Sequence, residues 1–168
     1  MSESELAAVG KLAWEIVTSN RPTVNETSDY ISVLPKGAEW SELTAPTGLN
    51  TIEWVWLGPG ILLHDFEFVL RLEWTYGARY HGGGAFVPNA VVKVLDHNVG
   101  LGGYHVDIAC RIGHIENVGS DKAPVPRIPI DVSLSYTNWF SGGGGTCSFH
   151  IQGDGAAFVT YAPHTEHH

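Results

Sequence analysis

The chain has 168 residues, of which 43% are hydrophobic and 11% aromatic, so it can bury a sizeable core in one domain and is too apolar to be disordered. Its formal charge is −9 with only 9 lysines and arginines, which argues against nucleic-acid binding, because that needs clustered cations. The same charge argues against purely electrostatic docking on anionic membranes, but it is compatible with a membrane ligand that aromatic side chains recognise.

The start of the chain carries no sign of a secretory leader. Met1–Arg21 lacks the basic start and apolar centre of a signal peptide, and no stretch of the sequence approaches the ~20 apolar residues of a membrane-spanning helix. We therefore expect a soluble protein that is cytoplasmic at synthesis and has no transmembrane helix. Export without a leader would leave no mark in a sequence, so it is an alternative.

The pattern within this first segment changes from helical to alternating. Ser2 and Glu5 stand at the spacing of a helix capping box, and residues 11–18 then alternate in polarity. This pattern predicts a short helix followed by a first strand, which Asn20–Pro22 would break. A continuous amphipathic helix over Ser4–Val17 is the alternative interpretation.

The clearest strand signal lies within residues 61–80. From Asp65 to Tyr76 large apolar residues of one parity alternate with mostly polar residues of the other. Because successive strand side chains point to opposite faces, the alternation predicts a buried aromatic face and a wet, charged face. The apolar set is Phe66, Phe68, Leu70, Leu72, Trp74 and Tyr76.

Two expectations follow for this strand. An unbroken strand over residues 61–80 would be unusually long, so a bend or bulge is expected near His64 or Gly77. Replacing Phe68 or Leu70 with alanine should cost about 2–5 kcal/mol, because either change would leave a cavity in the core.

Further apolar alternations, joined by glycine and proline turns without intervening helices, predict an all-β chain. One wet face per strand favours two antiparallel sheets packed as a β-sandwich, and a closed β-barrel is the alternative. We expect one domain over residues 1–168, with residues 1–20 as the candidate for a mobile segment. The expected strands are 30–34, 51–57, 85–95, 104–112, 130–136, 147–151 and 156–162.

The sequence also predicts one strand irregularity and two connecting segments. Pro88 should confine part of its strand to an edge or a bulge. Residues 39–50 are expected to form a loop, anchored onto the core by Trp40 and Leu43, and residues 96–103 are expected to form a turn.

The two cysteines, Cys110 and Cys147, both fall on the apolar parity of predicted strands. Without a secretory leader, two buried thiols are favoured over a disulfide.

Few residues in the sequence suggest catalysis. The glycine runs 82–84 and 142–145 join strand to strand, whereas phosphate-binding loops lead into helices. His105 and Asp107 share a strand face at a spacing that two metal ligands can use, but a surface hydrogen-bonded pair is favoured. We expect no enzyme, no cofactor and no metal. The candidates for a third ligand are His64, His97, His114 and His150.

A candidate binding site emerges from the order of the strands. If each strand from residue 61 onward crosses the sandwich, successive turns alternate between its two ends, and one end collects residues 58–60, 96–103 and 139–145. Binding sites on sandwiches commonly lie in such end loops. The sequence therefore predicts a non-enzymatic binding module for a glycan, a lipid headgroup or a protein surface. The predicted ligand-binding residues are Asp96, His97, Asn98, Trp139 and Phe140.

One local stretch supports an alternative. Tyr136 to Phe140 reads Y-T-N-W-F, and with its size, its tryptophan-rich strands and its amphipathic first segment the chain resembles small pore-forming toxins such as actinoporins and aegerolysins. The resemblance implies a sandwich fold and, as an alternative function, assembly on a membrane with Ser4–Val17 as the moving element. A metal-dependent enzyme using His105 and Asp107 is a third hypothesis. No pattern indicates an oligomeric state.

Overall fold

A computed structural model describes residues 14–23, 26–58, 66–99, 105–137 and 142–161. Eleven strands and one short 3-10 helix, Trp40–Glu42, account for most of these residues. The strands are β1 (Trp14–Thr23), β2 (Glu26–Pro35), β3 (Gly48–Leu57), β4 (Phe66–Tyr76), β5 (Ala78–Tyr80), β6 (Gly83–Val99), β7 (His105–Ile112), β8 (Glu116–Asn117), β9 (Pro126–Thr137), β10 (Gly142–Gln152) and β11 (Ala157–Tyr161).

The strands form two antiparallel sheets, which confirms the β-sandwich. The first sheet has the order β1-β2-β6-β4-β3, with β5 also paired to β6. The second has the order β11-β10-β9-β7, with β8 also paired to β9. Over the described residues the sheets do not close into a barrel, so the alternative architecture was wrong.

Strand β4 has the two faces that its alternation predicts. Its apolar residues from Phe66 to Trp74 are buried, and Tyr76, at the end of the strand, is half-buried. On the other face Arg71 donates a hydrogen bond to Glu53 of β3 through Nε at 2.7 Å, and Lys93 of β6 donates to Glu73 at 2.7 Å. Charged side chains on this face thus pair across the strands and keep their polar groups in water.

The expected bend after β4 lies at Gly77. This residue has φ +79°, in the left-handed region that favours glycine, and it separates β4 from β5. Pro88 is found beside a bulge, as predicted: the register between β2 and β6 passes from Ile31–Ala90 to Val33–Val87.

The core lies between the sheets, where tryptophan and phenylalanine rings pack among isoleucine, valine and leucine side chains. The Trp54 ring packs against Phe149 of the second sheet with ring centroids 4.7 Å apart. The indole N–H groups of Trp54 and Trp74 have no hydrogen-bond acceptor within the described residues. Burying the two indole rings stabilises the fold by more than each missing hydrogen bond costs, which is typically about 1–3 kcal/mol.

Two predicted boundaries and one predicted core anchor were wrong. Asn20–Pro22 does not break the first strand: β1 runs through to Thr23 and pairs with β2 over its whole length, because a strand at the sheet edge tolerates Pro22. The start of the predicted turn at residues 96–103 is strand, since β6 continues to Val99. Trp40 is no core anchor, because its side chain is 49% exposed.

The strand Trp14–Thr23 also bears on the alternative helix over Ser4–Val17. The last four residues of that predicted helix, 14–17, belong to β1, so the prediction of a continuous helix was wrong. The helix expected at the very start of the chain falls in residues 1–13, which lie outside the described residues.

One end of the sandwich is tied together by backbone hydrogen bonds between the two sheets, and we call it the tied end. Gly153, which follows β10, accepts from the Gly77 N–H of the first sheet at 2.8 Å, and within its own sheet it donates to Pro126 of β9 at 3.0 Å. The Ala85 N–H donates to Pro124 at 2.9 Å, and the Asn50 amide donates to Gly155 at 2.7 Å.

Candidate functional site

The opposite end of the sandwich is where the predicted site lies, and we call it the loop end. Register places its strand ends side by side within each sheet, and the rings of Phe66 and Tyr136, 5.0 Å apart, connect the two sheets there. The prediction that turns alternate between two ends is thereby confirmed for the strands that flank them. These strand ends are Leu57, Phe66, Val99, His105, Thr137 and Gly142.

A β-bulge near the loop end changes which residues of β6 face the core. Its residues pair with β4 as Val94 to Leu70 and Asp96 to Val69, so Leu95 is an extra residue in the ladder. Without this bulge, strict alternation from Val94 would turn Asp96 toward the core. The bulge instead brings His97 opposite the inward-facing Phe68.

Among the described residues of the predicted site, His97 is the one that lies over the buried aromatic side chains at the loop end. Its imidazole stacks on the Phe68 ring, with centroids 6.0 Å apart and planes 16° apart, while its outer surface is exposed. The Phe68 ring in turn contacts Phe66 edge-on at 5.9 Å. His97 therefore caps an aromatic cluster and presents a flat ring to solvent at the loop end.

The other predicted site residues do not all join His97. Asp96 and Asn98 pair with Val69 and Glu67, so they lie on the outer face of the sheet, on the opposite side of the strand. Asp96 accepts a hydrogen bond from the His97 backbone N–H at 2.8 Å. The expectation that these three residues share one loop was wrong, because they belong to a strand, and strand neighbours alternate in direction.

Trp139 and Phe140 lie outside the described residues, so their place in the site stays a prediction. Tyr136 is a residue of the site that sequence reasoning assigned only to the core. It is half-buried, its ring contacts Phe66, and a Cβ at Gly143 would lie 2.9 Å from its Cζ. The glycine run 142–145, which was predicted to join two strands, belongs to β10, and the absent side chain at Gly143 gives the Tyr136 ring its room.

The possible metal site is a surface pair. His105 Nε2 lies 3.3 Å from Asp107 Oδ2, and both side chains are exposed on the outer face of β7. The two residues thus form a surface pair, which is the interpretation that the sequence favoured. Across the described ranges no three His, Cys, Asp or Glu side chains come together in a way that could hold a metal ion.

The two cysteines are too far apart for a disulfide. Cys110 of β7 and Cys147 of β10 both pair with Val132 of the strand between them, so two strand spacings, about 10 Å, separate their Cα atoms. A disulfide needs a Cα separation below about 7 Å. Cys147 is fully buried and Cys110 is half-buried.

Burial raises the pKa of the Cys147 thiol from 9.0 to about 11, because the thiolate would lose its hydration. Native protein treated with iodoacetamide at pH 8 should be alkylated slowly at Cys147 and faster at Cys110, as read by peptide mass spectrometry. In 8 M urea both should react at similar rates. Native alkylation of Cys147 as fast as in urea would contradict its burial.

The same shift predicts how stability depends on pH. Between about pH 9 and 11 the unfolded chain releases the Cys147 proton that the native state retains. This contribution to stability is thus complete below pH 9 and is lost as the pH rises toward 11.

Among the described residues no helix combines the length and the apolar character that crossing a lipid bilayer requires. Comparison with protein-family models, with curated proteins and with solved structures finds no match for this chain.

Proposed function

We propose that this chain is a non-enzymatic binding module whose ligand contacts the loop end of the sandwich. The observation that carries the proposal is the imidazole of His97, which lies exposed over Phe68 where the two sheets meet. A flat ring backed by buried aromatics offers contact area without the entropy cost of ordering a long side chain.

Of the three ligand classes, a glycan is the best match to this surface. A sugar ring pairs an apolar face, which can stack on an imidazole, with hydroxyls that bond to polar groups at its rim. Glu67 and Asp96 on the adjoining outer face place negative charge near the site, which disfavours anionic lipid headgroups. A protein surface would need a larger contact area than this cluster alone provides.

The test uses a printed glycan array and vesicles of phosphatidylcholine with or without phosphatidylserine. We expect His97→Ala to weaken binding of the selected glycan at least tenfold and to change the melting temperature little, because the side chain is exposed. His114→Ala, an exposed histidine toward the tied end, is the matched control and should bind like wild type. Equal affinity of both variants would remove His97 from the site.

A second outcome would reject the proposal that the chain is a binding module. If neither the array nor the vesicles retain the protein, while a panel of hydrolase substrates reveals turnover, the chain is an enzyme. Membrane assembly and metal-dependent catalysis stay predictions. Vesicle dye release tests the first of these, and metal analysis of the purified protein tests the second.

A further inference from the structure

The tied end carries aromatic side chains, exposed or half-buried, that the loop-end site does not use. The segment Glu39–Thr44, which we call the strap, crosses this end beside the hairpin of β5 and β6. The Thr44 N–H donates to Arg79 at 2.9 Å, and the Arg79 N–H donates to Thr44 Oγ1 at 2.9 Å. An isolated bridge between Leu43 and Tyr80 extends the pairing.

The strap is also fixed from within. A capping box closes its single helical turn, with the Glu39 N–H donating to the Glu42 carboxylate at 2.7 Å. The Leu43 N–H donates to the Trp40 carbonyl at 3.2 Å. Trp40 is therefore held on an ordered turn, although about half of its side chain faces solvent. An indole exposed to this extent gives up about half of the gain that full burial would bring.

The hairpin beside the strap presents a histidine in an unusual conformation. His81 has φ +48° and Gly82 has φ +78°, as a two-residue type I′ turn between Tyr80 and Gly83 requires. Asn-Gly or Gly-Gly would satisfy this turn with less strain. The imidazole instead stands edge-on against the Tyr80 ring, with centroids 4.1 Å apart.

The strap and the hairpin bring together groups of complementary chemistry. His81 Nε2 lies 3.6 Å from Glu42 Oε1, and both side chains are accessible to solvent. A carboxylate and an imidazole at this separation supply an acceptor and a donor, which two neighbouring hydroxyls can engage together. Trp40, two residues before Glu42, supplies an exposed aromatic surface for stacking.

We propose that Trp40, Glu42, Tyr80 and His81 form a second ligand site, which binds a neutral sugar at the tied end. Anionic ligands are disfavoured, because Glu39 and Glu42 both lie on the strap. The site lies at the opposite end of the sandwich from His97, so it does not depend on the loop-end proposal.

Affinity electrophoresis tests the site, using native gels that contain hydroxyethylcellulose, glycol chitin, mannan or galactomannan. We expect at least one polysaccharide to retard the wild-type protein. Trp40→Ala should raise the dissociation constant at least tenfold, Trp40→Phe should raise it less, and Glu42→Gln should weaken binding several-fold. His97→Ala should remain retarded, which separates this site from the one at the loop end.

Folding is checked by thermal melting, and Trp40→Ala should melt close to wild type because its side chain is half exposed. The proposal is overturned if no polysaccharide retards the protein, or if Trp40→Ala is retarded as strongly as wild type. Retention on a choline resin without retardation by any polysaccharide would also overturn it, because the ligand would then be a cation recognised through aromatic rings.

Discussion

Replacing Gly153 with alanine is expected to lower the free energy of unfolding by at least ~3 kcal/mol, because among the described glycines its added methyl group would make the closest contact. A Cβ at Gly153 would overlap the carbonyl oxygen of Ala85 and lie 2.7 Å from its carbonyl carbon and 3.0 Å from Pro126 Cδ. These atoms belong to paired strands or to a proline ring, so they cannot move aside as the tip of a long side chain can.

The cost also includes two hydrogen bonds at the tied end, one between the sheets and one within the second sheet. Gly153 accepts from Gly77 and donates to Pro126, so any shift that makes room for the methyl group weakens both bonds. For a chain of this length, ~3 kcal/mol corresponds to a fall of about 6–12 °C in melting temperature.

Gly37→Ala is the control for this change. Gly37 has φ +81° and no atom within 4 Å of its would-be Cβ, so alanine there should cost only the backbone strain of about 1–2 kcal/mol. Differential scanning calorimetry of both variants measures the contrast. If Gly153→Ala melts no lower than Gly37→Ala, the close approach of the sheets at the tied end is wrong.

Leu70→Ala is expected to destabilise the protein by about 2–5 kcal/mol. Leu70 is fully buried in the middle of β4, which pairs with β6 on one side and β3 on the other. The surrounding sheet therefore cannot easily collapse into the cavity that alanine would leave. Urea denaturation monitored by tryptophan fluorescence measures the loss as a lower midpoint at unchanged slope.

The matched control lies three residues away on the same strand. Glu67 is exposed on the outer face, so Glu67→Gln should change stability by no more than ~0.5 kcal/mol. A loss below ~1 kcal/mol for Leu70→Ala, or a loss as large for Glu67→Gln, would mean that the buried face of β4 is wrongly assigned.

The two sheets are held together differently at the two ends of the sandwich. At the tied end, backbone hydrogen bonds hold the sheets at close contact, and the strap and hairpin are built on that support. At the loop end, side chains make the described contacts between the sheets, through Phe66 and Tyr136. A variant of an exposed residue at either end can therefore change binding without loosening the core.

The sequence predicted which strand ends meet at the loop end, but not which residues there face the core. The alternation of turns between two ends depends only on strands that cross the sandwich, and the structure confirms it for the flanking strand ends. Whether Asp96, His97 or Asn98 faces the core depends on the bulge at Leu95. That bulge is a property of the pairing between two distant strands, and no local pattern specifies it.

Alternation along the chain was enough to predict the class of fold and the buried face of its clearest strands. Alternation with period two is a local property, and a strand that places Phe68 and Leu70 on one side must place Glu67 on the other. The same reasoning placed Cys147 inside, and the absence of helical spacing between the strands favoured two packed sheets.

Register, strand ends and the burial of large residues between strands depend on contacts between distant parts of the chain, so no local pattern predicts them. Trp40 looked like a core anchor because it is large and apolar, yet the strap that holds it is pinned by hydrogen bonds to Arg79 rather than by burial of the indole. Whether an aromatic side chain outside a strand is buried depends on how much space the packed sheets leave beside it. That space is set by contacts between residues far apart in the chain, such as Gly153 and Ala85, so only the assembled sheets determine it.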